Sequence, residues 1–417
     1  MTQADTPESA AGDTSDQLPD PSVRAGWNQY DLGSFNESTI VEAIRQAGVI
    51  SRTEIARQTG LTQQSVSRIL RLLIQRGLVT EQGTERSNRL GKPRTPVRLR
   101  STAAHAAGVL VDPELVTVVL ADLEGDVTRH ASRELPSDCG PDDLVGAIAD
   151  LVTEIRRAST LENFLGVGLA VPGPITQDGG FGNLPLQPRW RNLPLRAQLA
   201  AELGCPVVVE KDGTAAAIGE RWIGRSSLHD NMAYLYIGTG VGSGLIIQGE
   251  AHRGVSANAG EFGQLCAVAI GELDENGRPR LVRECNPALA LPAIAAEHGY
   301  RGPDNYHDLC AAVGSGDTAA VEAAQQIAGV IARGATALVD LLDLPLVVIG
   351  GPLYEPELRP TIRGAVEHAV NSWPTAHDAR QVRVTDSRLG SNAAAIGAAS
   401  TIFHLAFTAR PAGRGRS

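Results

Sequence analysis

Apolar side chains recur at helical spacing in three consecutive segments of the first hundred residues. The first segment begins at Ser38, which we expect to be a helix N-cap, and the second begins at Ser51. Glu54 lies three residues after Ser51, the spacing of a capping box, and Gly60 is expected to end the second helix. The predicted apolar face of the first helix contains Ile40, Val41, Ala43 and Ile44.

A short turn, 60–62, leads into the third segment, 63–75, which is strongly amphipathic. Its apolar stripe contains Val66, Ile69, Leu70, Leu73 and Ile74. Its opposite, polar face contains Gln63, Gln64, Ser65, Ser67, Arg68 and Arg71. A glycine-containing turn followed by a helix with a polar first half is typical of a helix-turn-helix. Because Gln and Arg can form paired hydrogen bonds with adenine and guanine, we predict that this polar face binds DNA.

The residues after this helix predict a β-hairpin that flanks it as a wing. Leu78 and Val79 begin the first strand, and a compact cationic turn lies at 91–94. Lys92 and Arg94 are predicted DNA contacts, since narrow minor grooves concentrate negative potential; an ordinary basic linker is the alternative. We therefore predict a winged helix-turn-helix DNA-binding domain over residues 35–103, with a protein-interaction winged helix as the alternative.

From about residue 105 the pattern changes to short apolar runs that alternate with helical segments. Predicted strands lie within 106–127, 164–175, 206–210, 231–238, 242–249 and 346–349. Predicted helices lie at 142–158, 193–203, 212–223 and 321–342. The alternation indicates an α/β body with mixed sheets over residues 104–417. We expect two lobes, the first at about 104–211 plus the C-terminal end and the second at about 212–384.

Charge is distributed unevenly among these regions. Residues 38–100 contain twelve basic and four acidic side chains, whereas residues 1–37 contain one basic and seven acidic ones. The 417-residue chain has a formal net charge of −10, so the body is acidic as well. A cationic module between acidic regions favours a polyanion such as double-stranded DNA as its partner. We expect residues 1–34 to be a disordered acidic tail.

Composition excludes several classes of protein. Hydrophobic residues make up 42% of the chain, enough for a large core. No apolar run approaches the roughly 18 residues of a membrane-spanning helix, and the N-terminus has no apolar secretory segment. The five cysteines form no CxxC pair, which argues against a zinc ribbon or a disulfide framework. We expect a soluble cytoplasmic protein with no membrane partner, no cofactor and no structural metal.

Two glycine-rich turns are candidates for phosphate binding. Gly238–Gly244 lies between two predicted strands, and Gly350-Gly351 follows a third. Consecutive glycines allow backbone N–H groups to point at a phosphate. A tight hairpin is the alternative for the first turn.

Six motifs in order resemble the ROK family (repressors, open reading frames, kinases). They are VPGPI at 171–175, GNLPLQPRW at 182–190, EKDGTAAAIGE at 210–220, GTGVGSGLI at 238–246, NAGEFGQL at 258–265 and LVVIGGP at 346–352. The resemblance implies the two-lobed sugar-kinase and actin-like fold. Its members are sugar kinases or, where a winged helix-turn-helix precedes the body, sugar-responsive transcription factors.

The resemblance also implies the sugar contacts Asn183, Asp212, Glu261, Gln264 and Glu284. Asp212 matches the general base of the kinases and can accept hydrogen bonds from a sugar; a helix N-cap is its alternative role. Gln264 replaces the zinc-binding histidine of the family, and only Cys285 remains where the family has a cysteine cluster. The sequence therefore predicts no structural zinc.

Two further departures from the family bear on the ligand. The kinases carry an Asp-x-Gly-Gly-Thr phosphate loop on their first hairpin, where this chain has Asp112-Pro113-Glu114. Pro113 lacks an N–H and Glu114 is negative, which opposes ATP binding. Lys211 replaces an asparagine; we expect it to pair with Asp212 or Glu210, or to favour an anionic sugar derivative.

The sequence thus predicts a sugar-responsive transcriptional regulator, a repressor of carbohydrate-uptake or catabolism genes, and not an enzyme. Its expected partners are a double-stranded DNA operator, a small sugar or sugar derivative, and a second copy of the chain. A homodimer or higher oligomer is expected because symmetric half-sites need two recognition helices. The alternatives are an ATP-dependent sugar kinase with Asp212 as its base, and a DNA-binding protein that responds to no ligand.

Overall fold

The computed structural model describes residues 29–82, 95–159, 163–182, 184, 187–224 and 227–407, and of residues 29–35 and 227 only the backbone. Three predicted contact residues, Lys92, Arg94 and Asn183, lie outside the described residues, as does the predicted tail up to residue 28.

The described residues of the first domain form three helices and a small antiparallel sheet. In chain order the elements are α1 (Gln29–Ala47), β1 (Ile50–Ser51), α2 (Arg52–Thr59), α3 (Gln63–Gln75), β2 (Val79–Glu81) and β3 (Pro96–Leu99). The strand order is β1-β3-β2, so β2 and β3 are the arms of the predicted wing. This arrangement confirms the winged helix-turn-helix.

The ends of α2 and α3 follow from their local sequence. Ser51 and Glu54 form the predicted capping box, and Gly60 ends α2 with a left-handed φ of 71°. The Thr62 side chain accepts a hydrogen bond from the backbone N–H of Ser65 at 3.2 Å and so caps α3. Both predicted helix ends of α2 are confirmed.

Helix α1 is longer than the sequence pattern indicated. It begins at Gln29, inside the segment expected to be disordered, and Ser38 lies within the helix. The prediction of Ser38 as an N-cap is therefore wrong, because helical backbone already precedes it. The predicted apolar face of α1 is buried in the domain core: Ile40, Val41, Ala43 and Ile44.

The described part of the body contains two five-stranded sheets. The first includes strands and flanking helices in the order β4 (His105–Val111), β5 (Leu115–Asp122), β6 (Val127–Glu134), α4 (Pro141–Arg157), β7 (Phe164–Val171), α5 (Leu195–Leu203) and β8 (Val207–Lys211). Helix α6 (Asp212–Ile223) follows it. The strand order is β6-β5-β4-β7-β8, with β4, β7 and β8 parallel.

The second sheet and its helices complete the body. They are β9 (Met232–Ile237), β10 (Val241–Ile247), β11 (Glu250–Ala251), α7 (Phe262–Ile270), α8 (Pro287–Glu297), α9 (Tyr306–Ser315), α10 (Thr318–Leu342), β12 (Leu346–Gly350), α11 (Arg359–Ser372), β13 (Arg383–Asp386) and α12 (Ala393–Phe407). The strand order is β11-β10-β9-β12-β13. We call the two sheets with their helices the first and second lobes. The α/β, two-lobed prediction is confirmed.

Helices α6 and α12 pack against each other between the two sheets, and glycines allow their backbones to approach closely. A Cβ atom on Gly397 of α12 would lie 1.6 Å from the carbonyl oxygen of Ala215 on α6. A Cβ on Gly108 of β4 would lie 1.8 Å from the carbonyl oxygen of Ala395. The helix pair therefore connects the lobes through backbone contacts that larger residues would prevent.

None of the helices in the described residues is long and apolar enough to span a membrane.

Candidate functional site

Helix α3 presents its predicted polar face to solvent. Gln63, Gln64, Arg68 and Arg71 are exposed, and Ser65 and Ser67 are partly exposed. The apolar stripe opposite packs into the core through Val66, Ile69, Leu70 and Leu73. Base reading by the polar face stays a prediction, which its exposure supports.

A cavity of about 700 Å³ opens between the two lobes. Its floor contains the first turn of α6, and its walls come from the loop after β7, the β9–β10 turn and the start of α7. Three of the predicted sugar contacts line it: Asp212, Glu261 and Gln264. Further polar side chains that the sequence reasoning missed are Gln187, Thr239, Arg283 and Asn286. This volume lies in the range of small-molecule sites and leaves room for a monosaccharide or its derivative.

Asp212 is the first residue of α6, and Lys211 precedes it in the cap position. The Asp212 Oδ1 accepts a hydrogen bond of 2.6 Å from the N–H of the next residue, Gly213. The pKa of Asp212 is raised to about 6, chiefly by burial; Gly213 and Lys211 lower it, and nearby Asp112 and Glu261 raise it. The carboxylate is therefore an acceptor in the cavity whose charge depends on pH near neutrality.

Lys211 contacts neither of its predicted partners. Its side chain is buried, and its ammonium forms an ion pair with Glu261. The same ammonium donates to the carbonyl oxygens of Asn258 at 3.3 Å and Ala259 at 3.2 Å. These three acceptors match the three N–H groups of a lysine, so Lys211 has no further donor for an anionic ligand.

Glu210, the other expected partner of Lys211, pairs instead with Arg253. The guanidinium donates to the buried Glu210 carboxylate through Nη2 at 2.7 Å and Nε at 3.0 Å. The predicted pairing of Lys211 with Glu210 or Asp212 is thus wrong. Lys211 on β8 pairs with Glu261 of the second lobe, and Glu210 on β8 pairs with Arg253 of the second lobe. Both ion pairs connect β8 to the segment that follows β11.

The turn 112–115, which the sequence predicts to stand in place of the phosphate loop, has its backbone donors already engaged. Asp112 donates its N–H to the carbonyl oxygen of Leu115 at 2.9 Å, and Leu115 donates back at 3.3 Å. The N–H of Glu114 points to Asp112 Oδ1 at 3.4 Å, and Pro113 has none. Across the cavity, Thr239 Oγ1 donates to Asp112 Oδ2 at 3.2 Å. Burial raises the pKa of Asp112, against the hydrogen bonds from Glu114 and Thr239.

The glycine-rich turns are largely explained by packing. Residues 238–240 close the hairpin of β9 and β10, and the N–H of Gly238 donates to the carbonyl oxygen of Gly240 at 3.0 Å. A Cβ on Gly244 would lie 2.0 Å from the carbonyl oxygen of Gly213, and one on Gly351 2.4 Å from that of Ile237. The tight-hairpin alternative therefore describes the first turn, although Thr239, Gly240 and Gly242 still line the cavity.

Glu284 does not face the cavity with the other predicted contacts. Its carboxylate accepts a 2.7 Å hydrogen bond from Gln326 on α10, while its neighbours Arg283 and Cys285 line the cavity. Residues 283–285 form one short helical turn, in which consecutive side chains point in different directions. Sequence position alone therefore did not show which of the three faces the cavity. The described residues include no group of three or more His, Cys, Asp and Glu side chains with metal-site geometry.

Comparison with known proteins identifies both parts of the chain. Residues 108–404 match the ROK family, and residues 34–89 match the MarR family. The xylose repressor of Bacillus subtilis is 26% identical over 90% of this chain and 96% of its own length. The transcriptional dual regulator NagC of Escherichia coli is 24% identical over 84% of this chain and 88% of its own length. The glucokinase of Thermotoga maritima is 26% identical over 71% of this chain and 96% of its own.

Solved structures show the same fold. A ROK family transcriptional regulator, a homologue of the Escherichia coli MLC protein, superposes with a TM-score of 0.74 at 21% identity over 91% of this chain and 98% of its own. A ROK glucokinase from Streptomyces griseus superposes with a TM-score of 0.61 at 24% identity, over 71% of this chain and 98% of its own. Of these two, the regulator covers both the DNA-binding domain and the body. Because the ROK family matches most of its length and the MarR family matches the domain before the body, this chain belongs to the ROK family and carries an N-terminal MarR-type winged helix domain.

Proposed function

We propose that the protein is a sugar-responsive transcriptional repressor that binds operator DNA through α3 and a sugar through the interlobe cavity. One observation supports this most: an exposed polar recognition helix and a cavity large enough for a monosaccharide occur in one chain. The similarity to xylose repressors and to NagC over both parts of the chain supports the same pairing. The regulated genes would be those of carbohydrate uptake or catabolism.

The ligand we propose is an uncharged sugar. Lys211 is engaged by Glu261 and two carbonyl oxygens, so the cation that favoured an anionic ligand is neutralised. Asp112 and Asp212 add carboxylates to the same cavity, and a phosphate or carboxylate on the ligand would be repelled by them. Sugar hydroxyls, in contrast, donate to carboxylates and accept from Gln264 and Asn286.

We further propose that the protein does not transfer phosphate. The backbone donors of the 112–115 turn are engaged within the turn itself, and Glu114 adds negative charge there. Asp212 retains the position of a general base, but a base without a phosphate site performs no phosphoryl transfer. Carboxylate and amide groups then serve to bind the sugar.

The test is calorimetric binding of D-xylose, D-glucose and glucose 6-phosphate to the wild type and to Asp212→Ala. The exposed Asp304→Ala is the control. We expect a neutral sugar to bind, the phosphate ester to bind at least tenfold more weakly, and Asp212→Ala to lose sugar binding while retaining DNA binding. Stronger binding of the ester would contradict the proposed ligand class. Consumption of ATP with either neutral sugar would support the kinase alternative.

A further inference from the structure

The DNA-binding domain and the first lobe share one hydrophobic core. Apolar side chains of α1, α2 and α3 pack in the same cluster as Trp222 at the end of α6 and Phe403 on α12. The Trp222 and Phe403 rings stack with 5.9 Å between their centroids. The DNA-binding domain is therefore packed directly on α6 and α12, the helix pair that separates the lobes. The position of the domain thus depends on the position of these two helices.

A partly buried cluster of four charged side chains and one tryptophan lies at this contact, which we call the α1–α6 joint: Glu42, Arg45, Arg221, Trp222 and Asp230. The side chain of Arg45 is 3% exposed and donates to both Glu42 oxygens at 2.7 and 2.8 Å. Its guanidinium also donates to the carbonyl oxygen of Trp222 and lies 4.6 Å from that ring's centroid. These contacts fix α1 to the C-terminal end of α6.

Arg221 extends the joint to the second lobe. Its Nη2 lies 3.2 Å from Glu42 Oε1, and its Nε lies 3.3 Å from Asp230 Oδ1. Asp230 in turn accepts the N–H of Gly249, in the turn between β10 and β11, at 2.8 Å through its carbonyl oxygen. One guanidinium thus contacts the DNA-binding domain on one side and the second lobe on the other.

Glu42 is the shared partner of both arginines. Burial raises the pKa of Glu42, but its hydrogen bond with Arg45 and the charges of Arg45 and Arg221 outweigh burial and hold it at about 2. The carboxylate is therefore ionised throughout the physiological range. Removing it would leave the buried Arg45 and the largely buried Arg221 without their common counter-charge.

The other end of α6 lies in the cavity. Asp212 begins the helix and Arg221 and Trp222 lie in its last turn, so a rigid three-turn element runs from the cavity to the joint. We infer that the α1–α6 joint transmits ligand occupancy from the interlobe cavity to the DNA-binding domain, with Glu42 and Arg221 as its positioning residues. This inference rests on the proposed function. A ligand that changes the angle between the lobes shifts Asp230 relative to α1, and Arg221 cannot keep both contacts.

The test compares Glu42→Gln with Glu37→Gln in the full-length protein. Both substitutions remove one charge from α1, but Glu37 pairs with Arg76 inside the DNA-binding domain. The first measurement needs no ligand: amide hydrogen exchange at residues 228–231 and 245–250 of the second lobe. We expect Glu42→Gln to accelerate this exchange several-fold and Glu37→Gln to leave it unchanged.

The second measurement is release of labelled DNA, from upstream of the protein's own gene, by D-xylose or D-glucose. For the wild type we expect the sugar to weaken DNA binding by about 5- to 150-fold. In Glu42→Gln we expect this factor to fall close to onefold. The variant's calorimetric affinity for the sugar and its affinity for DNA without sugar should stay at the wild-type values. Arg221→Gln should behave alike. Unchanged exchange together with a wild-type response in both variants would overturn the inference and leave the proposed function standing. If neither sugar acts on the wild type, the proposed ligands fail, and the exchange measurement still decides whether the joint connects domain and lobe.

Discussion

At the scale of single residues, we expect the exposed side chains of α3 to determine which bases the protein contacts. Arg68 lies in the exposed middle of the helix, where a guanidinium can donate to a guanine. We expect Arg68→Ala to weaken operator binding by roughly 1–3 kcal/mol. The measurement is DNA anisotropy at fixed salt, because phosphate contacts make affinity depend on ionic strength.

Arg301→Ala is the control for Arg68→Ala, since it removes the same charge from an exposed site on the second lobe. Equal losses in the two variants would indicate a general charge effect. Unchanged affinity of Arg68→Ala would remove Arg68 from the base-reading set.

The carboxyl of Asp212 makes stability depend on pH. Its pKa of about 6 lies above the usual aspartate value of 3.8, so between these values the folded protein retains a proton that the unfolded chain has lost. The free energy of unfolding contributed by this group therefore falls as pH rises from about 4 to about 6, by up to about 3 kcal/mol. We expect thermal unfolding to show this slope in the wild type and not in Asp212→Asn. Parallel curves for the two proteins across that range would contradict the raised pKa.

Charge partners were the least predictable feature at this scale. Lys211 was expected to meet a neighbour in sequence, yet its partner Glu261 lies on the other lobe, as does Arg253 opposite Glu210. Local patterns specify capping residues such as Ser51 because both partners lie within one turn. A contact between lobes depends on the tertiary fold, and the sequence contains no local signal for it.

At the scale of elements, the α6–α12 contact has no room for a side chain at its glycines. Gly397→Ala would place a Cβ 1.6 Å from a backbone oxygen of α6, so the helices must separate. We expect a loss of more than about 3 kcal/mol in stability, or no folded protein. Gly364→Ala on α11 is the matched control, because a Cβ added at Gly364 would have no atom within 4 Å other than those of the adjoining helix backbone.

The Gly364→Ala control should gain about 0.5–1 kcal/mol from helix propensity. Thermal unfolding measures both variants. A Gly397→Ala protein as stable as the wild type would show that α6 and α12 are less closely packed than the structure indicates.

The predictable elements were short apolar strands and a helix such as α6, whereas a helix buried on nearly every side and an exposed edge strand were missed. The bounds of α6 match the predicted 212–223, and the strands β9, β10 and β12 lie within predicted apolar runs or begin or end within one residue of them. Helix α12 was missed because it is buried on nearly every side and shows no helical period of polar residues. Strand β6 was missed for the opposite reason, since most of its residues are exposed at the sheet edge.

At the scale of the whole molecule, a cationic DNA-binding domain is joined to an acidic two-lobed body. The order of motifs predicted this architecture, and the structure adds where the parts meet: the cavity lies at one end of α6 and the DNA-binding domain at the other. Sequence order did not indicate that the domain packs on α6, because Glu42 and Arg221 are distant along the chain. The cavity proposed to bind the ligand and the DNA-binding domain therefore lie at opposite ends of one helix.

The most direct test of cavity-controlled DNA binding is anisotropy of labelled DNA from upstream of the protein's own gene, titrated with D-xylose, D-glucose, N-acetylglucosamine and their phosphates at fixed salt. We expect the DNA to bind and one uncharged sugar to release it, with Asp212→Ala binding the DNA equally well and not responding. DNA that stays bound with every compound, or that is released equally from Asp212→Ala, would contradict the claim that this cavity controls DNA binding.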